Sequence, residues 1–120
     1  MTKKIAVVDD EMEILNLLER FLTRGKKYDV RVYLNPMNAL NDIKAGKFDL
    51  VLLDIMMPQM DGIETLRKIR EDNKSVKVVM MTAHSSLDRV LNSHKIGAND
   101  YILKPFKALS EVERKIRTNL

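Results

Sequence analysis

The sequence contains no cysteine and no tryptophan, and aromatic residues make up only 5% of it. The missing cysteines exclude a disulfide scaffold, a thiolate metal site and a cysteine nucleophile, and they fit a reducing compartment. With so few aromatic rings there is no platform for stacking nucleobases and little to sandwich a flavin. No apolar run approaches the length of a transmembrane helix, and the N-terminus lacks the apolar core of a signal peptide, so neither membrane insertion nor secretion is expected. No linker, low-complexity tract or solenoid repeat interrupts the 120 residues. Charge of one sign is also lacking. Residues 1–60 carry 9 basic and 9 acidic side chains, residues 61–120 carry 12 and 8, and the net charge is +4. An excess this small, interleaved with acids, reads as a solvated surface, not as a nucleic-acid footprint.

What is present is an ordinary globular balance, 45% apolar and 32% charged, enough for one core in a single cytoplasmic domain spanning residues 1–120. Short apolar runs alternate with amphipathic stretches. Lys4 to Asp9, Asp29 to Leu34, Phe48 to Ile55, Val76 to Met81 and Asp100 to Leu103 read as strands. The third, nearly continuous in Val and Leu, suits a central strand buried on both faces. Between and after them lie helical patterns. Glu11 to Arg24 carries Ile14, Leu15, Leu18, Phe21 and Leu22 at spacings of three and four, with Gly25 as its cap. Asn35-Pro36 opens the second helix, which Gly46 closes, and Asp61-Gly62 opens the third, which runs to Asp72. The fourth, Ser85 to Lys95, has a thin stripe of Leu87, Val90 and Leu91, weakened by Asn92, Ser93 and His94, and is expected to be marginal. The fifth, from about Ala108, carries Leu109, Val112 and Ile116.

Five strands alternating with five helices give βαβ units: a doubly wound parallel sheet with helices on both faces. In the strand order 2-1-3-4-5, ligands bind beyond the carboxyl ends, where strands one and three part. The sequence places Asp9, Asp10 and Glu11 at the end of strand one, Asp54 at the end of strand three, Thr82 after strand four and Lys104-Pro105 after strand five. Three aspartates, a hydroxyl and a lysine are expected to converge there. Clustered carboxylates need a cation or raised pKa values, and hard oxygen ligands without histidine or cysteine favour Mg²⁺ over zinc. Such a corner can hold a phosphoryl group, with Asp54 as the candidate nucleophile, since a carboxylate forms an acyl phosphate. Capping of the first helix would account for one of Asp9 and Asp10, but not for two acids plus Glu11. An aspartate within Val, Leu and Ile has no structural purpose.

The motifs Asp9-Asp10-Glu11, LLDIMMPQMDG around Asp54, Met80-Met81-Thr82-Ala83 and GANDYILKPF from Gly97 to Phe106 stand in order and in register over essentially the whole chain. In these the sequence resembles the response-regulator receiver domains of two-component signalling. The resemblance implies a flavodoxin-like fold. It implies that Asp54 accepts a phosphoryl group from a histidine kinase or histidine phosphotransfer protein, and that Asp9, Asp10, Asp54 and the backbone carbonyl of Met56 hold Mg²⁺, with Mn²⁺ able to replace it. It further implies that Lys104 pairs with the phosphoryl oxygens, that Thr82 and Tyr101 form a switch, and that the bond from Lys104 to Pro105 is cis. Phosphorylation would then change the face of helix four, strand five and helix five. A downstream effector or an output domain outside these residues would read that face, and a phosphorylation-dependent homodimer is a further expected partner. The domain would catalyse only its own phosphorylation and dephosphorylation. A flavodoxin-like cofactor binder would need a hydroxyl- and glycine-rich loop where this chain has three acids, and a DNA-binding regulator would need a helix-turn-helix unit absent from these residues. His84 and His94 read as surface residues, Met56, Met57 and Met60 as loop composition, and Lys107, Arg114, Lys115 and Arg117 as a solvated helix face.

Overall fold

A computed structural model describes residues 2–83 and 87–120. Among these, five strands, β1 (Lys3–Val8), β2 (Tyr28–Tyr33), β3 (Leu50–Asp54), β4 (Lys77–Ala83) and β5 (Asp100–Lys104), form one parallel sheet in the order β2-β1-β3-β4-β5. The helices are α1 (Met12–Thr23), α2 (Pro36–Lys44), α3 (Gly62–Asp72), α4 (Leu87–Ile96) and α5 (Leu109–Asn119). None is long and apolar enough to cross a membrane.

Every residue of β3 is buried, because helices cover both sides of the strand that sits at the centre of the sheet. Strand alternation splits the apolar residues into two cores. Ala6, Val8, Val51, Leu53, Val78 and Met80 face Ala39, Leu40 and Ile43 of α2, Leu66 and Ile69 of α3 and Val90 of α4. Ile5, Val7, Leu50, Leu52, Val79 and Met81 face Leu15, Leu18 and Leu22 of α1 and Val112 and Ile116 of α5. Helix starts follow the local chemistry: the Asn35 side chain accepts from the Met37 N–H at 3.0 Å, with Pro36 in the first turn.

Several boundaries differ from the sequence reading. β4 continues through Thr82 and Ala83, and β5 through Lys104, because the pairs Thr82–Leu103 and Ala83–Lys104 extend the ladder. Arg24–Lys26 form a short 3₁₀ turn, in which Gly25, one residue past the C-cap Arg24, takes φ +73°, the left-handed position expected of a glycine that ends a helix. In α4 only Val90 and Ser93 are buried, while Leu87 and Leu91 are 46% and 65% exposed. Ser93 escapes the cost of burial by donating its hydroxyl to the Val90 carbonyl at 2.7 Å. The expected start of this helix at Ser85, and His84, lie outside the described residues. His94 is exposed, Met57 is buried in the core, and Lys115 and Arg117 are paired with Asp100 and Glu113.

At the amino-terminal edge of the sheet, Arg70 fastens three elements together. Its guanidinium donates to the Gly97 carbonyl at 3.0 and 2.8 Å, to the Val76 carbonyl at 2.7 Å, to the Asn73 carbonyl at 3.1 Å and to Asn99 Oδ1 at 3.1 Å. Arg70→Ala would remove the guanidinium from the part-buried Gly97, Val76 and Asn73 carbonyls, while Asn99 Oδ1 keeps the Val78 N–H at 2.8 Å, and is expected to cost about 2 kcal/mol. Arg70→Lys should recover only a fraction of that, since an ammonium cannot reproduce the fork. Urea unfolding tests both, and an unchanged midpoint in Arg70→Ala would contradict the assignment.

Candidate functional site

Register sets the level of each polar side chain. β1 pairs Val8 with Leu53 of β3, so Asp9, one residue past β1, stands level with Asp54. Alternation sets the side. Asp9 follows Ile5 and Val7, Asp54 follows Leu50 and Leu52, and Lys104 follows Ile102, all of which belong to the α1/α5 core. Three separate stretches of chain therefore deliver their polar ends to one place.

There, one carboxylate oxygen from each of Asp9, Asp10 and Asp54 lies within 4.8 Å of the others. Asp9 is 0% and Asp54 5% exposed, and Asp10 is half-buried. Lys104 Nζ stands 2.6 Å from Asp9 Oδ2, 3.5 Å from Asp54 Oδ1 and 3.3 Å from Glu11 Oε2. Asp9 Oδ1 accepts the Glu11 N–H at 2.9 Å. Its Oδ2 lies against the Lys104 ammonium, the shortest of the three contacts that Lys104 makes. Neither aspartate caps α1, whose N-cap residue is Glu11.

One ammonium thus faces three carboxylates, those of Asp9, Asp54 and Glu11, with Asp10 beside them, and the electrostatics follow. Burial and then the Asp9 charge push the Asp54 carboxyl up to about 7, against the opposing pull of Lys104. Burial likewise raises Asp9 in spite of Lys104. Burial works to lower Lys104, but Asp9, Asp54 and Glu11 outweigh it and hold the ammonium protonated beyond its usual range. Clustered carboxylate oxygens in excess over the one ammonium fit a hard divalent cation, so Asp9, Asp10 and Asp54 can hold one. The set contains no histidine, which disfavours zinc.

The remaining sequence-derived residues stand around this cluster. Thr82 is buried at the end of the neighbouring strand, but its hydroxyl donates to the Ala83 carbonyl at 3.1 Å, away from the acids. Alternation explains this, because Thr82 shares the side of Val78 and Met80, the opposite face. Tyr101 is exposed on edge strand β5, its ring 5.3 Å from Lys115 Nζ. Met56 turns its side chain outward, and the Lys104–Pro105 peptide bond is cis.

Two neighbours of the cluster do not stand out in the sequence. Glu11 was visible only as a surplus acid, yet it shares Lys104. Gly62 was read only as a helix start. Its N–H donates to the Ile55 carbonyl at 2.8 Å, and a Cβ there would lie 2.1 Å from the Asp54 carbonyl oxygen. The first turn of α3 is thereby seated on the backbone of Asp54.

Comparison with known proteins gives a consistent result. The sequence profile of the response regulator receiver domain matches residues 5–117. The transcriptional regulatory protein ZraR of Klebsiella oxytoca is 46% identical over 101 residues, 84% of this chain, and the chain spans only 23% of that protein's length. The alkaline phosphatase synthesis transcriptional regulatory protein PhoP of Bacillus subtilis is 39% identical over the whole chain, which spans 49% of it. Among solved structures, a CheY-like response regulator receiver domain protein from Methanospirillum hungatei superposes with a TM-score of 0.89 at 31% identity, covering 98% of this chain and 93% of that one. The receiver domain of NtrX from Brucella abortus gives 0.82 at 31% identity, covering 94% and 95%.

Proposed function

Since this chain belongs to the response regulator receiver domain family of two-component signalling, we propose that it is a switch thrown by phosphorylation of Asp54. The observation that carries this reading is the position of the Asp54 carboxylate: buried at the end of the central strand, within reach of Lys104 and beside two further acids. In the proposed reaction, an Asp54 oxygen attacks the phosphorus of a phosphohistidine on a histidine kinase or phosphotransfer protein. The P–O bond forms as the P–N bond breaks, and the imidazole leaves as a neutral base after taking up a proton. Asp54 reacts as the carboxylate, so its raised pKa must first be overcome by neutralising charge. Asp9, Asp10, Asp54 and the Met56 carbonyl would hold Mg²⁺ or Mn²⁺, which when bound supplies that neutralisation and draws in the phosphoryl oxygens. Lys104 supplies a second positive group, which leaves Asp9 Oδ2 to pair with the transferred phosphoryl group.

Readout is proposed to start with Thr82. Among the described residues its hydroxyl bonds its neighbour's carbonyl and no distant group, so it is proposed to turn over the end of the sheet to a phosphoryl oxygen on Asp54. Tyr101, on the adjacent strand and exposed, would follow and alter the surface of α4, β5 and α5. The relatives whose names mark them as transcriptional regulators are two to four times longer than the aligned region. This supports an output domain or separate effector as the reader of that surface.

The test is intact mass after incubation with a small acyl-phosphate donor, with and without Mg²⁺, beside Asp54→Asn. One phosphoryl adduct that requires both the ion and Asp54 is the expected result. An adduct that persists in Asp54→Asn would displace the acceptor assignment.

A further inference from the structure

Asp61 holds two elements at once. Its Oδ1 accepts the Ile63 N–H at 2.7 Å and caps α3, while its Oδ2 pairs with the guanidinium of Arg89 in the first turn of α4. The next residue, Gly62, is seated against the Asp54 carbonyl. The acceptor's backbone, the start of α3 and the start of α4 are therefore linked in series. Among the described residues α4 has few other anchors: Val90 and Ser93 are buried, Ile96 packs partly against the core, and its leucines face outward. Arg89 and Asp61 remain 37% and 41% exposed, so the pair adds little to global stability and acts locally.

We infer that the Asp61–Arg89 ion pair is a latch that positions α4 against the segment 55–61, which joins Asp54 to α3, and holds the unphosphorylated arrangement. The inference rests on Asp54 being the phosphoryl acceptor. Both residues act through position, and neither touches the transferred group. Any motion of α4 that accompanies phosphorylation then works against the latch. By linkage, releasing the latch favours the phosphorylated state by the same factor. The route runs through the α3 cap and is separate from the one through Thr82 and Tyr101.

Arg89→Ala, Asp61→Asn and the double variant test this. Asparagine keeps the α3 cap and removes only the charge. Two readouts are needed: amide hydrogen exchange across α4 and β3 without donor, and the steady-state adduct level with Mg²⁺ and a sub-saturating acyl-phosphate donor. Each single variant should speed exchange in α4 by about two- to fivefold with β3 unchanged, the range open to an exposed ion pair. Each should raise the adduct level by a similar factor. The double variant should do no more than either single one, because both remove the same contact. Arg89→Lys should restore the parent behaviour in part. Parental exchange rates in α4, additive effects in the double variant, or faster exchange with an unchanged adduct level would each overturn the latch. A parent protein that forms no adduct at all would overturn the proposed function, and this inference with it.

Discussion

Gly62→Ala is expected to destabilise the protein by about 3 kcal/mol, at the upper end for overpacking. The added Cβ would lie 2.1 Å from the Asp54 carbonyl oxygen, 2.7 Å from Ile55 Cα and 3.0 Å from the Asp54 carbonyl carbon. All three are backbone atoms at the end of the central strand or one residue past it, so no side chain can turn aside to relieve the contact. The start of α3 must lift, and the Gly62-to-Ile55 hydrogen bond and the Asp61 cap lengthen or break with it. Helix propensity alone predicts the opposite sign, a gain of about 1 kcal/mol for alanine over glycine within a helix. The two effects are thus separated by direction as well as size. Thermal unfolding should show a fall of roughly 10 °C. A variant as stable as the parent would mean that α3 is not seated on the backbone of Asp54. The substitution should also slow formation of the adduct, because the displaced backbone is that of Asp54.

Asp54→Asn should be more stable than the parent at pH 8 in the presence of a chelator, and the advantage should vanish near pH 4. The Asp54 carboxyl is raised from 3.8 to about 7, chiefly by burial and then by Asp9. Between those values the native state binds more protons than the unfolded state. The parent's stability therefore falls as pH rises through this window and levels off above about 7. Asparagine carries no charge and escapes that loss. A shift of this size corresponds to about 4 kcal/mol at full strength. Lys104 loses a partner 3.5 Å away in the variant, so about half of that, ~2 kcal/mol, is the expected net gain. Added Mg²⁺ should reverse the order, since it stabilises the parent by mass action and the variant lacks one of three carboxylate ligands. Melting curves from pH 4 to 8, with chelator and with Mg²⁺, check each step. A variant less stable than the parent at pH 8 in chelator would show that Asp54 is already neutralised by Lys104.

The same divide between local and long-range causes decides how much could be read in advance. The order of elements was legible because it is written in one dimension. The Val and Leu run before Asp54 can only be a strand buried on both faces, Asn35-Pro36 is a helix start by its own chemistry, and the residues ending each strand are fixed once the strands are placed. Parallel pairing in the order β2-β1-β3-β4-β5 then brings Asp9, Asp10, Asp54 and Lys104 to one edge whatever the side-chain detail. The sequence by itself determined that much: the sheet, its helices and an acidic corner with one lysine.

Tertiary structure decided which groups meet within that corner and what holds it. β4 and β5 run on to Ala83 and Lys104 because each completes the other's hydrogen bonds, a property of the pair. Thr82 and Asp54 sit one strand apart but on opposite sides of the sheet, a consequence of register. The rotation of α4 about its axis turns Leu91 to solvent and Ser93 inward, against the hydropathy of both, because the Val90 carbonyl satisfies the buried hydroxyl. Glu11 shares Lys104 across 93 residues of chain, Arg89 reaches Asp61, and Gly62 rests on Asp54. Local pattern fixes the face a residue presents and the element it joins. Which partner lies across the gap depends on distances set by every element between them, and so it is known only once the whole chain is packed.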